Sequence, residues 1–201
     1  METICSSFTL APYLTLARSR LSRQVLLASM LDGMLMPGFF PFIAPFLHEG
    51  YGLSYAGVGL VLSCFGLGAL IYIRTAKRFV PMLGEHGMVT LGGVMMSAAL
   101  LFGVWFDDWR VFVPVENILG LGFFTLHGVL QTRATEMLPE ARTTSVSSFA
   151  AMLFLGQSIG AAGTAALIAA AGYRVALVVD AVLLLGMALW LRGLLWRLSA
   201  R

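Results

Sequence analysis

Apolar residues fill the chain in six long runs, at 24–47, 55–73, 88–106, 111–131, 144–171 and 174–192, divided by short polar stretches. Crossing the hydrocarbon core of a bilayer takes about 20 apolar residues in a helix, and each run has that length. Neither the alternation of a half-buried strand nor the one-sided stripe of a soluble amphipathic helix is present. The pattern predicts an all-α membrane protein: a terminal segment at 1–23, a bundle of six transmembrane helices over 24–192, and a tail at 193–201. Six helices leave room for an inverted 3+3 repeat, although the similarity between 24–106 and 111–192 is weak. Around Pro12 to Leu21 the pattern allows a short amphipathic helix.

Composition agrees: 59% of the 201 residues are hydrophobic and 11% charged, too little polar surface to cover a domain in water. Charge decides the orientation. Arg18, Arg20 and Arg23 precede the first run. Arg74, Lys77 and Arg78 follow the second, Arg133 and Arg142 the fourth, and Arg192, Arg197 and Arg201 the sixth. Of the 13 basic residues, only Arg110 and Arg174 fall on the other side. Cytoplasmic loops collect Lys and Arg, so both termini are expected in the cytoplasm. The arginines of 1–23 come after its weakly apolar stretch, the reverse of a signal peptide. Cys5 and Cys64 make no disulfide framework. Three histidines without a ligand cluster give no metal or cofactor, and no basic patch interleaved with aromatics points to nucleic acid.

Few residues in the runs can carry chemistry. Asp32 stands inside the first run, where a charge costs at least about 2.5–3.5 kcal/mol and needs a wet cavity or a partner. Pro37, Pro41 and Pro45 follow at four-residue intervals and favour a bend. In the fourth run Asn117, Gly120, Phe124, His127 and Gln131 share one helical face. Such a polar stripe lines a cavity or joins helices, and its imidazole is suited to proton transfer. Glu116 stands beside it near the outer end, a candidate for an outer-side cavity. Arg74, Lys77 and Arg78, running into Leu83-Gly84-Glu85-His86-Gly87, read as a cytoplasmic gate loop.

In the fifth run Gly156-Gln157-Ser158-Ile159-Gly160 matches the nucleophile elbow of hydrolases in letters only. That elbow needs a strand-to-helix turn, and this segment continues as helix through Gly163. Met152, Gly156, Gly160 and Gly163 form instead a small-residue face for close helix packing. No enzyme is expected.

The segment from Leu67-Gly68 through Arg74, Lys77 and Arg78 to Leu83-Gly84-Glu85-His86-Gly87 resembles the loop after the eighth helix of major facilitator superfamily transporters. Met137 to Ser145, Phe154 to Gly163 and Ala171-Gly172-Tyr173-Arg174 resemble that family's eleventh helix and its flanks, with the bacterial drug or sugar efflux branch nearest. Tyr72 stands where the family's loop carries an acid, and Glu85-His86 where basic residues follow the second glycine. The resemblance implies the C-terminal six-helix half of a transporter. Its activity would be proton-coupled alternating access for a small organic solute, probed at Asp32, Asn117, His127, Gln131 and Gln157 in the bacterial inner membrane. A cavity lies between two such halves, so a second six-helix half, from a homodimer or a separate chain, is the expected partner beside lipid, solute and protons. A truncated or accessory subunit without transport of its own is the alternative.

Overall fold

The computed structural model describes residues 10–199. All its regular structure is helical: α1 (Ala11–Arg18), α2 (Arg20–Leu35), α3 (Ile43–Tyr51), α4 (Tyr55–Trp105), α5 (Phe112–Glu136), α6 (Arg142–Ala171) and α7 (Tyr173–Ser199), with short 3-10 turns at Phe40–Phe42, Trp109–Val111 and Pro139–Ala141. Five stretches are long and apolar enough to cross a membrane: Arg20–Tyr51, Tyr55–Trp105, Trp109–Glu136, Pro139–Ala171 and Tyr173–Arg197. The short helix expected near Pro12 is α1, with only Leu16 buried. Cys5 and Arg201 lie outside the described residues.

The proline series divides the first stretch. Pro37 has no N–H to offer the Gly33 carbonyl, which accepts instead from Gly38 N at 2.9 Å. This widened turn ends α2, and the chain resumes through Phe40–Phe42 into α3. A left-handed Gly52 (φ 67°) closes α3, and the Ser54 side chain accepts from Gly57 N at 3.2 Å to start α4.

The 51 residues of α4 are not one rod. Gly84, at φ 60° and ψ 178°, breaks the helix in a conformation open to glycine. Packing against α5 shows the reversal. Along the first arm, Phe65 meets Gly120 and Gly68 meets Asn117 and Leu121, while farther on Tyr72 meets Gly128, so this arm runs parallel to α5. Along the second arm Gly92 meets Gly122 and Leu126, and Gly103 meets Phe112 and Val115, so it runs antiparallel. The break corrects the expected loop at 74–87. Helix continues through Arg74, Lys77 and Arg78, because exposed cations suit a helix C-terminus, and the turn is confined to Gly84. Likewise α5 runs to Glu136 inside the expected 132–143 loop, and α7 passes Arg192 to Ser199.

Two crossings hold the bundle. At α2 and α6, a Cβ on Gly33 would strike the Leu153 carbonyl, and one on Gly156 or Gly160 the carbonyl of Met30 or Met34. At α4 and α5, a Cβ on Gly68 would strike the Asn117 carbonyl and one on Gly120 that of Phe65. Ser29 Oγ adds a hydrogen bond to the Phe149 carbonyl at 2.8 Å. The α4 second arm packs on α7 where Gly93 meets Ala188. At one end, Tyr51 Oη donates to the Phe106 carbonyl at 3.2 Å, Tyr173 Oη to Glu49 at 3.1 Å, and Arg174 pairs with Asp107. At the other, Arg133 Nε donates to Glu85 at 2.9 Å.

Gly163, expected on the packing face, is exposed, and a Cβ there would meet nothing within 4 Å. Gly156→Ala should therefore destabilise the bundle by about 1–3 kcal/mol through overpacking. Gly163→Ala should be neutral or stabilising by up to about 1 kcal/mol through helix propensity. Thermal unfolding of both variants in one detergent checks the contrast, and equal shifts would contradict this packing.

Candidate functional site

Asp32 and His127 meet in the middle of the bundle. Asp32 is fully buried on α2, and its Oδ2 lies 2.6 Å from Nδ1 of the nearly buried His127 on α5. An ionised carboxylate only accepts, so in that state the imidazole Nδ1–H is the donor. The ring is held from two sides: Phe123 stacks on it with centroids 4.9 Å apart, and Phe149 of α6 lies at 5.6 Å. Ser29, three residues before Asp32, ties α2 to the Phe149 carbonyl. Asp32 Oδ1 is buried without a hydrogen-bond partner among the described residues. The pair thus keeps one acceptor position unused and joins three helices. The widened turn at Pro37 lies barely more than one helical turn beyond it.

The rest of the α5 stripe divides. Asn117 donates through Nδ2 to the Cys64 carbonyl at 3.4 Å, and Gly120 sits in the crossing with α4. Both join helices. Phe124 lies between Phe65 at 6.0 Å and Tyr72 at 6.4 Å. Gln131 is exposed at the end of α5, and Gln157 is half-buried on α6. Glu116 is fully buried, with neither carboxylate oxygen hydrogen-bonded among the described residues. Arg74, Lys77 and Arg78 are exposed on the first arm of α4. Ser158 of the elbow-like segment donates to the Phe154 carbonyl of its own helix at 3.0 Å, an ordinary helix bond.

Two features went unnoticed in the sequence. The Arg133–Glu85 ion pair spans α5 and the second arm of α4; it joins residues read as belonging to two separate loops. Asp180 lies on α7, 6% exposed, with Oδ2 unpartnered. Its signal was present as the one acid inside the sixth apolar run. Among the described residues no three His, Cys, Asp or Glu side chains gather as a metal site.

A sequence model of the family described as Major Facilitator Superfamily matches residues 25–200. No curated protein and no solved structure matches the chain.

The pair predicts energetic coupling. Asp32→Asn and His127→Asn should each destabilise the bundle, and the double variant should lose less than the sum by about 0.5–3 kcal/mol. Unfolding of the three variants in detergent measures the difference, and strict additivity would mean that the contact carries no energy.

Proposed function

The chain belongs to the major facilitator superfamily, and we propose that it moves a small organic solute across the membrane by proton-coupled alternating access. It is a membrane transporter of that kind; the coupling ion, solute class and direction are the proposal.

The observation that carries the reading is the Asp32–His127 pair. An ionisable pair is costly in the bilayer, and two well-packed apolar residues would hold α2 to α5 as well. A proton added to this pair changes its charge and its hydrogen bond, and therefore the attachment of α2 to α5. Phe123 and Phe149 against the imidazole, with Phe124 and Gln157 on the same two helices, suit an amphipathic organic solute. Outward movement in a bacterial inner membrane is the direction and location we infer.

Six spans fit the packing better than five. A continuous helix of 51 residues would be about 77 Å long, far beyond the hydrocarbon core of about 30 Å. Counting the arms of α4 as two spans also assigns the described basic residues to one side, with Arg110 and Arg174 on the other, which supports cytoplasmic termini. An inverted 3+3 repeat draws support from the crossings. The offset that carries Met30 to Asn117 also carries Gly33 to Gly120. Another single offset carries Phe65 to Leu153 and Gly68 to Gly156. These quartets make the two glycine crossings. Arg74, Lys77 and Arg78 would then flank the cytoplasmic turn as a gate. One bundle gives one wall of a central cavity, and a second six-helix bundle, from a second copy or a separate chain, gives the other.

In proteoliposomes with an imposed pH gradient, Asp32→Asn should abolish proton-driven flux while membrane insertion stays unchanged. Undiminished gradient-driven flux in that variant would sink the coupling assignment. Native mass spectrometry from nanodiscs should give a dimer or a complex with another six-helix protein. A monomer that transports would refute the two-bundle cavity.

A further inference from the structure

A cavity of about 210 Å³ opens between α2, α6 and α7, and neither Asp32 nor His127 lines it. Its wall is apolar apart from Thr164 and Asp180. Gly163 and Leu183 at its edge are exposed, so within these membrane-crossing helices its mouth faces outward from the bundle. Asp180, more than nine-tenths buried, lines the cavity with Oδ2 unpartnered among the described residues. The space beside Gly163 is empty out to 4 Å from an added Cβ.

We propose that this cavity binds a small protonated amine with an apolar body, entering from the bilayer, with Asp180 as its counter-ion. The lining decides the chemistry. A carboxylate inside the membrane repels anions and gains little from a neutral solute, which leaves it without a charge partner. A bare metal cation needs about six oxygen ligands, and only Asp180 and Thr164 supply side-chain oxygens here. An ammonium group needs no more than the Asp180 carboxylate and the Thr164 hydroxyl as acceptors, while its hydrocarbon part covers Leu35, Leu167, Ala176 and Leu183. The volume lies below the range of about 300–1,000 Å³ usual for drug-sized ligands, which limits the guest to a small amine. The site does not depend on the transport reading, since neither Asp32 nor His127 lines it.

The test is fluorine NMR on the purified full chain in nanodiscs of uncharged-net, zwitterionic lipid, titrated with 4-fluorobenzylamine and, separately, with neutral 4-fluorobenzyl alcohol. Wild type should bind the amine saturably and at least about tenfold more tightly than the alcohol, in keeping with a buried charge pair. Asp180→Asn should remove that preference. Gly163→Leu, which fills the cavity while keeping the carboxylate, should abolish saturable binding, and circular dichroism should show both variants folded. Asp32→Asn should leave amine binding unchanged, which separates this site from the central pair. Equal uptake of amine and alcohol, or saturable amine binding that survives Gly163→Leu, would overturn the proposal, and so would loss of binding in Asp32→Asn alone.

Discussion

Backbone-to-backbone contact at two helix crossings is the constraint from which the rest of this bundle follows. Inside a bilayer, lipid tails are as apolar as leucine, so burial gives helices little reason to associate, and close packing has to supply the attraction. Here Gly33 and Gly156 admit the carbonyls of α6 and α2, while Gly68 and Gly120 do the same for α5 and the first arm of α4. Each contact fixes not only a distance but the rotation of its helix. With Gly33 turned toward α6, its neighbour Asp32 is directed away from that contact and reaches α5. There His127 is already oriented by Phe123 and Phe149. The chemistry at the centre is thus a consequence of where the missing methyl groups are.

Three acids are buried among the described residues, and their surroundings separate them. Asp32 has a partner on another helix and one unused oxygen. Glu116 is enclosed, with both oxygens unpartnered among the described residues, close to a crossing that leaves no room for a guest. Asp180 borders a space. An enclosed acid is most simply accommodated as its neutral form, whereas an acid beside a partner or an opening can exchange its charge with something. By that criterion Asp32 and Asp180 stand apart from Glu116: each has a neighbouring group or space beside its carboxylate.

Much of this architecture was legible because the membrane simplifies the code. The run 144–171 lies inside α6, and 111–131 lies in α5 but for its first residue, since only a helix satisfies its backbone in lipid. Asp32 and His127 each stood out as costly residues, but their meeting depends on a crossing between helices far apart in sequence, which no local spacing encodes. Cations at 74–78 read as loop because polarity and chain reversal usually coincide; here the helix carries its charges along an exposed face and turns only at Gly84. On the Gly-rich face of α6, Gly156 and Gly160 touch α2, while Gly163 borders empty space. Small residues permit close approach without requiring it.

The distribution of contact types also determines how such a bundle can move. Crossings made of backbone atoms cannot slide by small steps, because a shift of one residue along a helix replaces a glycine with a side chain. Contacts at the end that carries Arg174 are of another kind. Arg174 with Asp107 joins exposed groups, and water replaces such a bond at little cost. Motion is therefore cheaper at that end than at the crossings, which resist any sliding of one helix along another. The interrupted helix beyond Asp32 is no exception. Pro37 breaks its hydrogen-bond ladder, but Gly38 still lies against the backbone of Gly160 and Ala161, and Phe39, Ile43, Phe46 and Leu47 are buried beyond it. The bend therefore changes the direction of the chain while keeping it in the crossing with α6, so the helix on both sides of Pro37 belongs to the part that moves as one.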